Sequence, residues 1–138
     1  MPSTEPSQEP AHRRDVIVEA AHDSMTAEAR YGALRWRLSG DEPPAPDPVS
    51  SFLGALGGCL LMSLRVAAQV RKVDVGRASV HARANEKGHV KEIKVELQVE
   101  SNANDEQFQR LIEVAERGCH VRNLIRDDVP FELAVIRI

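Results

Sequence analysis

The fold is decided by residues 48–70, which read PVSSFLGALGGCLLMSLRVAAQV. Asp47 before this stretch can accept the unpaired amide hydrogen bonds of a helix start, and Pro48 is preset for the first helical position. We therefore predict a long helix over residues 48–70. Its middle is apolar on every face, which a helix tolerates only when other elements surround it. Glycines weaken a helix, so we expect another backbone to approach closely at the three in this stretch. These are Gly54, Gly57 and Gly58.

Length and composition limit the rest of the chain. With 138 residues and 42% hydrophobic residues, it is sized for a single compact domain, which we place at residues 14–138. Aromatic residues make up only 4%, so the core must be aliphatic. Eighteen Lys and Arg against 21 Asp and Glu create no long-range positive field. We therefore expect neither nucleic acid nor a membrane surface as a partner.

Two stretches bear on the cellular compartment. Residues 1–13 are rich in Pro, Ser, Glu and Gln and carry no apolar run, so we predict a disordered tail and not a signal peptide. Residues 52–64 form the longest apolar stretch, which is shorter than the roughly 20 residues of a bilayer span. We expect a buried helix in a cytoplasmic protein.

Alternating and helical patterns predict the remaining elements. Strands are expected over residues 15–21, 33–38, 79–84, 93–99 and 131–138. Asn104 and Gln107 have the spacing of a capping box, which predicts a helix that ends at Gly118. A further helical turn is expected over residues 121–126, and the proline-rich residues 40–48 are expected to form a loop. Because helices and strands do not alternate, the order favours an α+β, two-layer sandwich over a doubly wound fold.

Two cysteines are the candidate chemical groups. Cys59 lies mid-helix in the most apolar part of the chain, where a lone cysteine usually packs as a small hydrophobe. Cys119 follows the predicted end of the second helix, among the cationic residues His120 and Arg122. Such neighbours lower the pKa of a thiol, so we expect a lowered pKa for Cys119. If the two thiols lie close in space, they can cycle between dithiol and disulfide.

A metal site is the third interpretation of these residues. Its ligands would be Cys59, Cys119, His120 and His81. The sequence has neither a CxxC pair nor the paired Cys/His spacing of zinc sites, so we expect no metal and no cofactor.

The two cysteine segments resemble the OsmC/Ohr family, the osmotically induced and organic hydroperoxide resistance proteins. Residues 48–59 (PVSSFLGALGGC) look like the central cysteine helix of that family. Residues 105–123 (DEQFQRLIEVAERGCHVRN) look like its second helix and second cysteine motif, and residues 40–48 resemble the loop before the cysteine helix. The resemblance covers roughly residues 28–138. It implies an OsmC-like fold that forms an intertwined homodimer around buried cysteine helices, and a second subunit would bury the face that the helix's own sheet leaves bare.

The resemblance also implies a thiol-dependent peroxidase. In the family, the cysteine that matches Cys59 attacks a peroxide and becomes a sulfenic acid. The cysteine that matches Cys119 resolves this to a disulfide, which a dithiol such as dihydrolipoamide then reduces. This chemistry uses no metal, flavin or haem. The apolar residues around Cys59 favour organic hydroperoxides over hydrogen peroxide as substrates.

Several positions depart from the family's pattern or cannot be aligned with it. Family peroxidases activate the cysteine with an arginine of the first strands and a glutamate near the start of the central helix. Val49 and Ser50 occupy the place of that glutamate, and His120 stands where many members carry proline. Three arginines are candidates for the activating one, and a solvated strand face is the other interpretation of each. They are Arg30, Arg35 and Arg37.

The missing glutamate supports a second functional hypothesis. On this hypothesis the protein is OsmC-like but not an efficient peroxidase. It would instead bind a small apolar or thiol-reactive ligand in a pocket at the dimer interface.

Overall fold

The computed structural model describes residues 14–40 and 45–138. The tail predicted for residues 1–13 and part of the proline-rich loop, residues 41–44, lie outside the described residues. The described chain forms two compact units, which meet in sequence between Pro48 and Val49. The expectation of a single domain over residues 14–138 stays a prediction.

The N-terminal unit contains a three-stranded antiparallel sheet. Its strands are β1 (Ile17–Ala20), β2 (Thr26–Tyr31) and β3 (Leu34–Ser39), in the order β1-β2-β3. Strands β1 and β3 agree with the predicted strands at residues 15–21 and 33–38, whereas β2 is not predicted from the sequence. Gly32 has a φ of 60° in the tight turn between β2 and β3, a conformation that glycine adopts without a Cβ clash.

The second unit is built on α1 (Pro48–Arg71), which confirms the predicted long helix. This helix is long enough and apolar enough to cross a membrane by length and composition alone. The core helices of soluble proteins meet the same criterion. Among the described residues, one face of α1 is buried, and it comprises Leu56, Gly57, Leu60, Leu64, Ala67 and Ala68. The opposite face leaves Met62, Val66 and Val70 exposed. The sequence predicts that α1 is surrounded on all sides, whereas the described residues of a single chain cover one side of it.

A second sheet supports the buried face of α1. It contains β4 (Ala78–Lys87), β5 (His89–Val99) and β6 (Phe131–Arg137), in the order β4-β5-β6. Strands β4 and β5 are antiparallel, whereas β5 and β6 are parallel. Helix α2 (Asp105–Arg117) lies between β5 and β6 in the chain, as a parallel connection requires. A short 3-10 helix, Arg122–Leu124, follows α2 where a further helical turn is predicted.

Both helices pack against the same face of β5. Its inward residues alternate as predicted, and all four are buried: Ile93, Val95, Leu97 and Val99. Leu64 of α1 and Leu111 of α2 meet Leu97 and Val99 in one core cluster. The two helices and two sheets confirm the predicted α+β class.

The close approach expected at the three glycines of α1 occurs at one of them. A Cβ placed on Gly57 would lie 3.2 Å from Cγ1 of Val80, so this glycine brings α1 close to β4. A Cβ placed on Gly54 or Gly58 would have no atom of another element of the described residues within 4 Å. The expectation is wrong for these two positions within one chain.

Candidate functional site

Cys59 lies halfway along α1 and opens onto a groove between the two helices. The groove has a volume of about 430 Å³. Cys59 and Met62 line it from α1, and Val114 lines it from α2. His120, which directly follows Cys119 in the sequence, also lines the groove. The side chain of Cys59 is half-buried, so one side contacts the core while the other faces this apolar groove.

Cys119 lies on the inner side of the same region. It follows the last turn of α2 and is fully buried, in a cluster with Leu56, Leu60, Ile93 and Val95. Cys59 packs against the cluster that contains Cys119, close enough for the two thiols to affect one another's ionisation. The structure therefore brings together the two cysteines that lie 60 positions apart in the sequence, one at the groove and one behind it.

The pKa of the Cys119 thiol is raised above its usual value. Burial is the largest cause, because an apolar site disfavours the thiolate. The nearby Cys59 side chain and the charge of its thiolate raise the pKa further, whereas the backbone N–H groups of Arg122 and Val121 lower it. The N–H of Arg122 lies 3.4 Å from the Cys119 sulfur. The expected lowering is therefore wrong, because burial of the thiol outweighs the backbone N–H groups that lower its pKa.

The turn that carries Cys119 is tied to α1 by a serine. The Ser63 hydroxyl donates a hydrogen bond to the carbonyl oxygen of Ala115 at 2.6 Å. Ser63 also lines the groove, one helical turn after Cys59. Sequence reasoning missed this residue. The available signal was its spacing of four residues from Cys59, which places both on one face of the helix.

The three candidate arginines lie in the N-terminal sheet. Arg30 on β2 stands opposite Arg35 on β3, and Arg37 stands opposite Glu28. Arg35 forms an ion pair with Glu28 at 3.5 Å, with both side chains more than half exposed. Arg30 is half-buried, and its Nε atom has no hydrogen-bond partner within the described part of the chain. Arg35 and Arg37 are two positions apart on β3 and therefore share one face of that strand.

The other predicted departures lie at the start of α1 and beside Cys119. No acidic residue is present in the first turn of α1, where Val49 and Ser50 are located. His120 is exposed and lines the groove that Cys59 opens onto. Within residues 14–40 and 45–138, no group of three His, Cys, Asp or Glu side chains is arranged to hold a metal ion.

Comparisons with known proteins connect this arrangement to one family. The family model for OsmC-like proteins matches residues 39–134. An uncharacterized protein of Haloferax volcanii is 24% identical over 119 residues, which cover 84% of this chain and 90% of that relative.

Solved structures show the same fold at low sequence identity. The OsmC-like protein of Mycoplasma pneumoniae superposes with a TM-score of 0.85 at 13% identity, covering 94% of this chain and 99% of that chain. An organic hydroperoxide resistance protein OsmC of Legionella pneumophila gives a TM-score of 0.67 at 18% identity, covering 93% and 99%. OhrB, the organic hydroperoxide resistance protein of Bacillus subtilis, gives a TM-score of 0.65 at 17% identity, covering 91% of this chain and 99% of that chain. Since the family model spans most of the sequence, this chain belongs to the OsmC-like protein family.

Proposed function

We propose that this protein is a thiol peroxidase that reduces organic hydroperoxides. Family membership supports a peroxiredoxin-like or stress-related role. The observation that carries the more specific proposal is the cysteine pair, in which a groove-facing Cys59 lies beside a fully buried Cys119. A substrate that enters the groove meets Cys59 first, so Cys59 is the nucleophile and Cys119 is the resolving thiol.

The proposed cycle has three balanced steps. The Cys59 thiolate attacks the outer oxygen of the hydroperoxide, the O–O bond breaks, and the alkoxide takes up a proton and leaves as an alcohol. Cys59 is then a sulfenic acid. The Cys119 thiol attacks the Cys59 sulfur, a disulfide forms, and the sulfenic oxygen leaves as water. An external dithiol such as dihydrolipoamide reduces the disulfide by two thiol–disulfide exchanges and becomes a disulfide itself.

The groove supports organic hydroperoxides as the substrate class. Its α1 wall includes Met62, Val66, Ala67 and Val70, which offer apolar contacts to an alkyl group. Hydrogen peroxide has no apolar part and gains nothing from these contacts. A small dithiol reductant can reach Cys59 through the same apolar groove.

Arg30 is our proposal for the activating arginine that the family resemblance implies. Its side chain is half-buried, and its buried Nε donor has no hydrogen-bond partner in the described residues, so this donor is not engaged by another residue there. Arg35 already pairs with Glu28, and Arg37 lies exposed opposite the same glutamate.

A homodimer is the proposed assembly. The outer face of α1 carries Met62, Val66 and Val70 with 66%, 59% and 76% of their surface exposed. Gly54 and Gly58 on the same helix have open space where a Cβ would be, which allows another backbone to come close. A second copy would cover this apolar face, so the groove beside Cys59 would lie at the subunit interface. We further propose that the protein acts in the cytoplasm, where thiols are kept reduced.

Turnover of cumene hydroperoxide by serine variants tests the proposed function. With a dithiol reductant, Cys59→Ser is expected to lose turnover, because the nucleophile is gone. Cys119→Ser is expected to turn over more slowly than the wild type, because its sulfenic acid must then be reduced by the external dithiol alone. Full turnover by Cys59→Ser contradicts the proposal.

A second candidate function is supported by the first turn of α1, which contains no acidic residue. On this alternative the groove binds a small apolar or thiol-reactive molecule without efficient peroxide turnover. Peroxide reduction no faster than that of free cysteine, together with retention of a bound apolar molecule, would favour this alternative.

A further inference from the structure

We propose that Ser63 is a positioning residue that holds the Cys119 turn against α1 and so sets the rate at which Cys119 resolves oxidised Cys59. The inference deepens the proposed peroxidase function and rests on it. Its structural basis is the 2.6 Å hydrogen bond from the Ser63 hydroxyl to the Ala115 carbonyl, which links residues 52 positions apart.

The Ala115 carbonyl needs this donor because α2 ends there. In a continuing α-helix, the N–H of Cys119 would donate to Ala115. Here that N–H donates to Glu116 at 3.2 Å instead. The Ala115 carbonyl therefore belongs to the last helical turn, whose carbonyls lack an N–H donor from the helix itself. The Ser63 hydroxyl donates the hydrogen bond in place of that N–H. The chain leaves the helical path at Cys119, whose side chain enters the core.

Gly118 allows the contact to be short. A Cβ at this position would lie 3.2 Å from the Ser63 oxygen, so a side chain there would press on the hydroxyl. Ser63 is one turn from Cys59 on α1, and Gly118 directly precedes Cys119. The hydrogen bond therefore links the Ser63 side chain of α1 to the backbone of the last turn of α2, four residues from Cys59 and four residues from Cys119.

The resolving step depends on how often the Cys119 sulfur is in reach of the Cys59 sulfenic sulfur. Holding two reacting groups in place raises their effective concentration. Removal of the Ser63 hydroxyl leaves a part-buried carbonyl without its donor and loosens the turn. One net intramolecular hydrogen bond corresponds to a factor of about 5 in an equilibrium, and we expect a loss of this size.

The test compares Ser63→Ala with Ser63→Thr, which keeps a hydroxyl, and with Ser79→Ala, a matched control on the exposed side of β4. Two quantities are measured for each protein. The first is the equilibrium between dithiol and disulfide in a glutathione redox buffer, which reports the effective concentration of the two thiols without any peroxide. The second is the ratio of two products after rapid mixing with cumene hydroperoxide. One product is the disulfide, and the other is Cys59 sulfenic acid, which dimedone traps. Thermal unfolding verifies that each variant is folded.

Ser63→Ala is expected to lower the effective concentration of the two thiols and the rate of disulfide formation about 5-fold each. More of its Cys59 should then reach the sulfinic acid at excess peroxide, because the sulfenic acid lasts longer. Ser63→Thr should restore the wild-type values, and Ser79→Ala should keep them.

Wild-type values in Ser63→Ala, or an equal loss in Ser79→Ala, would overturn the inference. The glutathione equilibrium separates this failure from failure of the proposed function. A shifted equilibrium in Ser63→Ala without peroxide consumption by the wild type would support the positioning role while contradicting the peroxidase.

Discussion

The raised pKa of Cys119 makes the stability of the folded protein depend on pH in a defined direction. We compare Cys59→Ala with the double variant Cys59→Ala, Cys119→Ala. The Cys59→Ala background prevents disulfide formation and removes the coupling between the two thiols. Burial, the largest cause of the raised pKa, remains because Cys119 is 0% exposed among aliphatic side chains.

The sign and size follow from proton binding. Below the unfolded-state pKa of about 8.5, the Cys119 thiol keeps its proton in both states, so it adds no pH dependence. Above that pH the unfolded chain releases the proton while the folded chain retains it. The free energy of unfolding then falls by up to about 1.36 kcal/mol per pH unit, until the pH passes the folded-state pKa.

Urea unfolding of both variants between about pH 7 and about pH 10 measures this effect. The difference in free energy of unfolding, single variant minus double variant, is expected to be flat up to about pH 8.5 and to decrease above it. Other titrating groups are common to both proteins and cancel in the difference. A difference that is independent of pH, or that increases with pH, would refute the assignment of a buried, protonated thiol.

Three further predictions concern access, assembly and the arginines. Iodoacetamide should modify Cys59 well before Cys119 in the native protein, as peptide mass spectrometry can show, and equal rates would contradict the burial of Cys119. Val66→Asp should shift sedimentation equilibrium towards the monomer while far-UV circular dichroism is retained, because a charge would enter the proposed interface; an unchanged mass would place the interface elsewhere. Arg30→Ala should slow the reaction of Cys59 with cumene hydroperoxide at least about tenfold, typical of losing an activating group, whereas Arg37→Ala should not. The reverse order would contradict our choice of arginine.

The helices could be predicted because their signals are local. Pro48 marks the start of α1, and the Asn104–Gln107 capping box that begins α2 is present in the structure at 2.8 and 3.2 Å. Strand β2 was missed because its sequence, TAEARY, contains alanine and glutamate, which have low strand propensity. It is stabilised by β1 on one side and β3 on the other, and that pairing is not visible in its own residues.

The candidate site was predictable in its residues but not in its environment. Cys59 and Cys119 stood out by sequence context, yet their contact depends on the crossover through α2 that brings the chain back to α1. The raised pKa of Cys119 depends on burial by β5 and α1, whereas the sequence shows only the adjacent cations. Ser63 was missed for the same reason, because its acceptor lies 52 residues away.

The central claim is that Cys59 and Cys119 form a peroxide-reactive pair. The most direct measurement is the intact mass of the reduced protein under denaturing conditions, before and after one equivalent of cumene hydroperoxide, with hydrogen peroxide in parallel. We predict the loss of two hydrogens per chain, mapped by peptide digestion to a Cys59–Cys119 link, and faster reaction with the organic peroxide. An unchanged mass, or a disulfide between two chains in place of the Cys59–Cys119 link within one chain, would contradict the claim.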